Sequence, residues 1–142
     1  MIEVLIPPNP EFQKYEAQIK ELYEKTQNRI CDPNPFSFIK ENTLFYLFLI
    51  DGTVIGAIYY FMDDGKLFLN GFAYPKHHTL NLKCLYLSLN WFSQPVYAEA
   101  QNRASALCLL RCGFKRVKDN LFCFKKDYYK GAFAQKGNYY DI

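Results

Sequence analysis

At 142 residues the chain is long enough for one domain with a proper core. Half of its residues are hydrophobic and 18% are aromatic, which argues against disorder, while a net charge of +3 attracts anions only weakly and makes no case for nucleic acid as a partner. No apolar run approaches the roughly 20 residues of a membrane span, and five cysteines without a Cys-x-x-Cys pair, with no leader peptide in view, predict a reducing, cytoplasmic setting.

Taken in order, Ile2 to Ile6 is a short apolar run that predicts a strand at a sheet edge. Asn9 with Pro10 reads as a helix start, because the side chain of Asn9 can cap and the missing amide of Pro10 costs little at the first position. Phe12, Tyr15, Ile19, Leu22 and Tyr23 recur at spacings of three and four and predict one amphipathic helix over residues 10–28. Asp32 to Pro35 breaks the chain, and residues 36–40 add a helical turn. Strands are predicted over 43–50, 53–62 and 66–74, joined by hairpin turns at Asp51-Gly52 and Asp63-Asp64-Gly65. Gly71 inside the third of these suggests a bulge or a close backbone approach. Residues 77–92 predict a helix, 95–100 a strand, and Asn102 caps a further helix that stops at Gly113, the usual left-handed end. Phe114 re-enters an apolar strand, and Leu121 to Lys125 forms the last one.

From Pro95 to Phe114 the chain resembles the GNAT superfamily of acyl-CoA N-acyltransferases. Their late motif reads Asn, Ala, Leu-Tyr and Gly-Phe at fixed gaps. Asn102, Gly113 and Phe114 fall on that spacing, while Ser105, Cys108 and Leu109 stand where the Ala, Leu and Tyr would be. The order of elements agrees as well. The resemblance implies an α/β (α+β) fold over residues 1–126: a mixed, mostly antiparallel central sheet with helices on both faces, in which strands 66–74 and 95–100 run parallel and splay apart. Residues 127–142 lie beyond it as an aromatic arm carrying Tyr128, Tyr129, Phe133, Tyr139 and Tyr140. Such an arm either packs on its own domain or docks on a second copy or another protein.

The resemblance also implies acetyl-CoA as cofactor. In the family the third hairpin strand carries a bulge, and its backbone holds the pantetheine and polarises the thioester; here that falls to Gly71, Phe72, Ala73 and Tyr74. A glycine-rich loop and the following helix start then hold the pyrophosphate. The loop here is glycine-poor: Pro75 fits, His78 stands for the usual Gln or Arg, and Asn81 and Lys83 replace two small residues, whose side chains would crowd the amides. Lys76, His77, His78 and Lys83 are either a solvated basic loop or an anion site that works through side chains. Asn102 completes the cofactor set. No metal is expected: His77 and His78 have no carboxylate or thiol near in sequence, and Cys108 and Cys112 share a helix face with apolar neighbours.

For the chemistry, Glu99 is either a surface residue near a helix start or the general base for an acceptor amine. The Tyr that commonly protonates the leaving thiolate is Leu109 here, and spacing does not choose among Tyr74, Tyr86 and Tyr97. Two functions follow. One is an N-acetyltransferase that moves acetyl from acetyl-CoA to an amine. The other is a catalytically silent module of the same fold, acting by binding. The polar loop and Leu109 are similar to small GNAT-like proteins of short-tailed phages, which would place the chain in a host cytoplasm or a virion.

Overall fold

The computed structural model describes residues 2–30 and 32–126. Among these residues seven strands form one sheet: β1 (Ile2–Leu5), β2 (Leu44–Ile50), β3 (Thr53–Asp63), β4 (Lys66–Ala73), β5 (Val96–Glu99), β6 (Lys115–Lys118) and β7 (Leu121–Phe124). Their order is β1-β2-β3-β4-β5-β7-β6, and every neighbouring pair is antiparallel except β4 with β5. The helices are α1 (Glu16–Ile30), α2 (Phe36–Asn42), α3 (His78–Ser88) and α4 (Arg103–Cys112). This is the mixed, mostly antiparallel sheet expected from the sequence, and β1 is its edge.

Period-two alternation along β2 and β3 builds two cores. Phe45, Leu47, Ala57, Tyr59 and Phe72 face α1 and α2, meeting Phe12, Ile19, Tyr23 and Ile39. Phe48, Ile58, Tyr60, Leu67 and Leu69 face the other way, toward α3 and α4. Both expected hairpin turns form with two successive positive φ angles, at Asp51 and Gly52 and at Asp64 and Gly65, the geometry that matches strand twist.

Three expectations need correction. The predicted helix over 10–28 is two pieces, a 3-10 turn over Pro10–Lys14 and then α1. Bonds from Phe12 N to Asn9 O (2.9 Å) and from Tyr15 N to Phe12 O (3.0 Å) tighten that first turn and swing Phe12 fully into the core, edge-on to Phe45. Gly71 is not a bulge, since β3 and β4 pair without a slip from Gly56↔Ala73 to Asp63↔Lys66. The irregularity lies between β2 and β3 instead, where Phe48 pairs Gly56 and Leu49 pairs Val54, leaving Ile55 as the extra residue. The strand after Phe114 is not apolar: β6 is Lys-Arg-Val-Lys, exposed throughout, and closes the sheet with a charged edge. The arm expected at residues 127–142 lies outside the described residues.

Candidate functional site

The site is set by where two strands part. β4 and β5 pair only at Leu67↔Val96 and Phe68↔Tyr97. Past that point no strand among the described residues faces the rest of β4 on that side. The phase of the β4 amides is fixed by Tyr74 N–H donating to Ile55 O at 3.1 Å. Antiparallel alternation then points the amides of 68, 70 and 72 at β3 and those of Leu69, Gly71 and Ala73 into the gap. A cleft of about 440 Å³ fills the gap, walled by β4, the end of α1, α3, the end of β5 and α4.

Each wall contributes polar groups. From α4 comes Asn102, whose Oδ1 accepts from Ser105 N–H at 2.8 Å. Ser105 Oγ answers by accepting from Asn102 N–H at 3.1 Å, so this Ser makes a reciprocal capping box at the start of α4. From α3 comes His78, whose Nε2 lies 3.1 Å from Cys108 Sγ and ties the start of α3 to α4 across the cleft. Burial pushes the Cys108 thiol up, against a smaller downward pull from Arg111. Asn81, only 9% exposed, is packed down on the sheet. Its Oδ1 lies 2.7 Å from where a Cβ on Gly56 would be, so Gly56 makes the room. That places the side chain against β3 rather than over the amides of the first turn of α3. Its Oδ1 is buried without a hydrogen-bond partner, as is Nε2 of the neighbouring His77.

Of the sequence-predicted residues, Phe72, Ala73, His78, Asn81, Glu99 and Asn102 line the cleft, and Tyr74, Lys76 and His77 do not. Lys76 and His77 sit in the 3-10 turn Pro75–His77 just ahead of α3. Leu109 does line the cleft, where it offers no proton. Among the described residues no tyrosine lines it: Tyr86 is buried in the core, and Tyr74 packs on the α1 side of the sheet.

On the α1 side a second pocket of about 180 Å³ opens against the same splay. Glu99 and Asn70 line both cavities. Asp32 and Asp63 add two more carboxylates, and Phe61 and Phe68 supply aromatic walls. The loop that carries Asp32 is pinned from several sides. Tyr59 O–H donates to Asp32 Oδ2 at 2.6 Å, Tyr23 O–H to Asn34 O at 2.6 Å, and Gln27 Nε2 to Asp32 O at 2.8 Å. Sequence reasoning missed Asn70, Asp32 and Cys108. Asn70 was the only one with a local signal, a polar residue interrupting an apolar strand.

Three strand amides face the cleft with no strand opposite among the described residues, the start of α3 opens on it, and its walls mix apolar with hydrogen-bonding groups. Among the described residues no group of three His, Cys, Asp or Glu side chains is placed to hold a metal, and no helix is long and apolar enough to cross a membrane.

No protein-family model matches the sequence, and no curated protein matches it. Solved structures do. An acetyltransferase from Agrobacterium tumefaciens strain C58 superposes with a TM-score of 0.64 at 13% identity, over 88% of this chain and 91% of that one. An aminoglycoside acetyltransferase in complex with coenzyme A does so at 0.63 and 10% identity, over 92% and 98%. A GNAT family acetyltransferase from Brucella melitensis in complex with acetyl-CoA gives 0.52 at 15% identity, over 89% and 88%. At these identities the likeness is one of fold, and the fold of this chain is that of the GNAT acetyltransferases.

Proposed function

We propose that this protein is an N-acetyltransferase that moves acetyl from acetyl-CoA to an amine. The observation that carries the reading is the splay itself: β4 turns the amides of Leu69, Gly71 and Ala73 into a cleft that the strand next to it has left open. Acetyl-CoA supplies an activated thioester carbonyl. Phe72, Ala73 and Tyr74 would lay their backbone along the pantetheine, and Asn102 would meet it from α4. Lys76 and His78, just before and at the start of α3, would face the phosphates, where side-chain charge takes over from missing glycines, while the side chains of His77 and Asn81 turn inward.

The acceptor enters from the opposite side, through the pocket of Asp32, Asp63 and Glu99 with its two phenylalanine walls. Carboxylates beside aromatic faces suit a cationic amine with an apolar stem. Glu99 borders both cavities, so it takes the proton that turns the bound ammonium into a nucleophilic amine; as the nitrogen then bonds to the carbonyl carbon and the carbon–sulfur bond breaks, the second nitrogen proton passes to water. The thiolate takes its proton from water, because Leu109 occupies the place of a proton donor.

Calorimetric titration with acetyl-CoA, followed by mass spectrometry of a panel of small amines incubated with the protein and acetyl-CoA, tests the reading. Saturable binding and an added acetyl group on at least one amine are expected. No heat at millimolar acetyl-CoA overturns it.

The second reading is a catalytically silent module that binds through the same fold. Leu109, and the absence of any tyrosine from the described cleft, favour it. It predicts binding without transfer to any amine. A cytoplasmic or virion setting, and a partner or second copy held through residues 127–142, go with either reading. They rest on the sequence alone.

A further inference from the structure

Gly71 N–H points into the gap between β4 and β5, where no strand among the described residues accepts from it. It is nevertheless paired. The side chain of the residue before it folds back, and Asn70 Oδ1 accepts from Gly71 N–H at 2.9 Å. The other end of the same amide, Nδ2, donates to Ile30 O at 3.3 Å, on the last residue of α1. Asn70 lines both the 440 Å³ cleft and the 180 Å³ pocket. One side-chain amide thus spans the partition between the two cavities and fills the hydrogen-bonding position that the splay creates.

An amide oxygen 2.9 Å from a strand N–H marks the place where another carbonyl oxygen can sit. A thioester carbonyl lying in the cleft presents the same kind of atom. We propose that Asn70 is a gate on the acyl position. Its Oδ1 holds Gly71 N–H in the free protein, the carbonyl oxygen of a bound acyl-CoA takes that place, and the displaced side chain opens the partition toward the acceptor pocket. The proposal rests on the reading of the cleft as an acyl-CoA site. It makes Asn70 a specificity-determining residue, because coenzyme A without an acyl group has no thioester carbonyl at the acyl position to compete for Gly71 N–H, its two amide carbonyls lying farther back along the pantetheine. The Asn70–Gly71 hydrogen bond lowers affinity for acetyl-CoA and leaves affinity for coenzyme A unchanged.

The measurement is the ratio of dissociation constants for coenzyme A and acetyl-CoA, by calorimetry, in wild type, Asn70→Ala and Asn70→Asp. Removing the competing oxygen should raise the preference for acetyl-CoA by roughly three- to tenfold, the range of one net hydrogen bond. Asn70→Asp keeps an acceptor at the same place and strengthens it with charge, so it should lower the preference. Using the ratio cancels the effect of the new charge on the shared phosphates. In the free protein, hydrogen exchange at Gly71 should speed up about tenfold in Asn70→Ala, by NMR, with its other amides little changed. An unchanged ratio in both variants, a shift in the same direction in both, or unaltered exchange at Gly71 overturns the gate. If wild type binds neither ligand, the acyl-CoA reading falls and takes the gate with it. If both ligands bind at a constant ratio, only the gate falls.

Discussion

Glu99 is the only carboxylate among the described residues that borders both the cleft and the pocket across the splay. It stands at the end of β5, opposite Leu121 of β7, so the sheet fixes its backbone while the side chain stays exposed. A base in that position matters to the chemical step more than to binding. Glu99→Gln should lower turnover by about 100-fold, at the low end of what general bases contribute, and by more than any single Tyr→Phe change. Steady-state rates with the best amine found decide it, and turnover unchanged in Glu99→Gln removes this residue from the mechanism. Glu99 could be picked out from sequence because an acid at a strand end is a local feature. Asn70, Asn81 and His78 could not be assigned their contacts that way. Asn70 bonds Ile30 from forty residues on, Asn81 is shaped by Gly56 on another strand, and His78 meets Cys108 thirty residues away. Such pairings exist only once the sheet has brought the elements together.

Among the elements, α4 was the most legible, because its ends are written in local chemistry. Asn102 caps it, Ser105 completes the box, and Gly113 leaves it with φ 101°. The Ser that departs from the usual Ala is what closes the reciprocal cap. Asn102→Ala should therefore cost about 1 kcal/mol of stability and lower the melting temperature by roughly 4 °C. It should also weaken acetyl-CoA binding. A variant that loses affinity at unchanged melting temperature would place Asn102 on the ligand rather than on the cap. Register was less legible than existence. The sequence shows a glycine in each of β3 and β4, and nothing local says which marks the bulge. The bulge falls at Ile55, beside Gly56, and Gly56 is also where Asn81 comes down on the sheet. A Cβ there would meet Phe72 O at 2.5 Å and Asn81 Oδ1 at 2.7 Å. Gly56→Ala should destabilise by at least the roughly 1–3 kcal/mol of an overpacked core. Chemical denaturation measures this, and a loss below about 0.5 kcal/mol would mean that both β4 and α3 sit farther from Gly56.

For the whole molecule, the sheet separates two cores, and both hold titratable groups kept neutral. Burial pushes the thiols of Cys84 and Cys112 from 9.0 up to about 12. Both pack on the α3 and α4 side with Tyr60, whose hydroxyl burial also raises. On the α1 side burial, and then the Asp32 carboxylate, raise the hydroxyls of Tyr23 and Tyr59. In the unfolded chain these thiols ionise near their ordinary value, while in the fold they keep their protons. Above that value the unfolded state binds fewer protons than the folded one, so stability falls as pH rises. The loss should begin near pH 9.0 and continue to about 12, the span between the two values of each thiol, with the phenols joining from about one unit higher. Because both faces of the sheet carry such groups, the two cores should weaken together, in one cooperative transition. Denaturant midpoints followed by tyrosine fluorescence and by far-ultraviolet circular dichroism from about pH 7 to 11 test both parts. The midpoint should hold steady to about pH 8.5 and then drop, with the two signals coincident. A midpoint still flat at about pH 11 would mean that these thiols and phenols reach water in the fold, and separated signals would mean that the sheet does not couple its two sides.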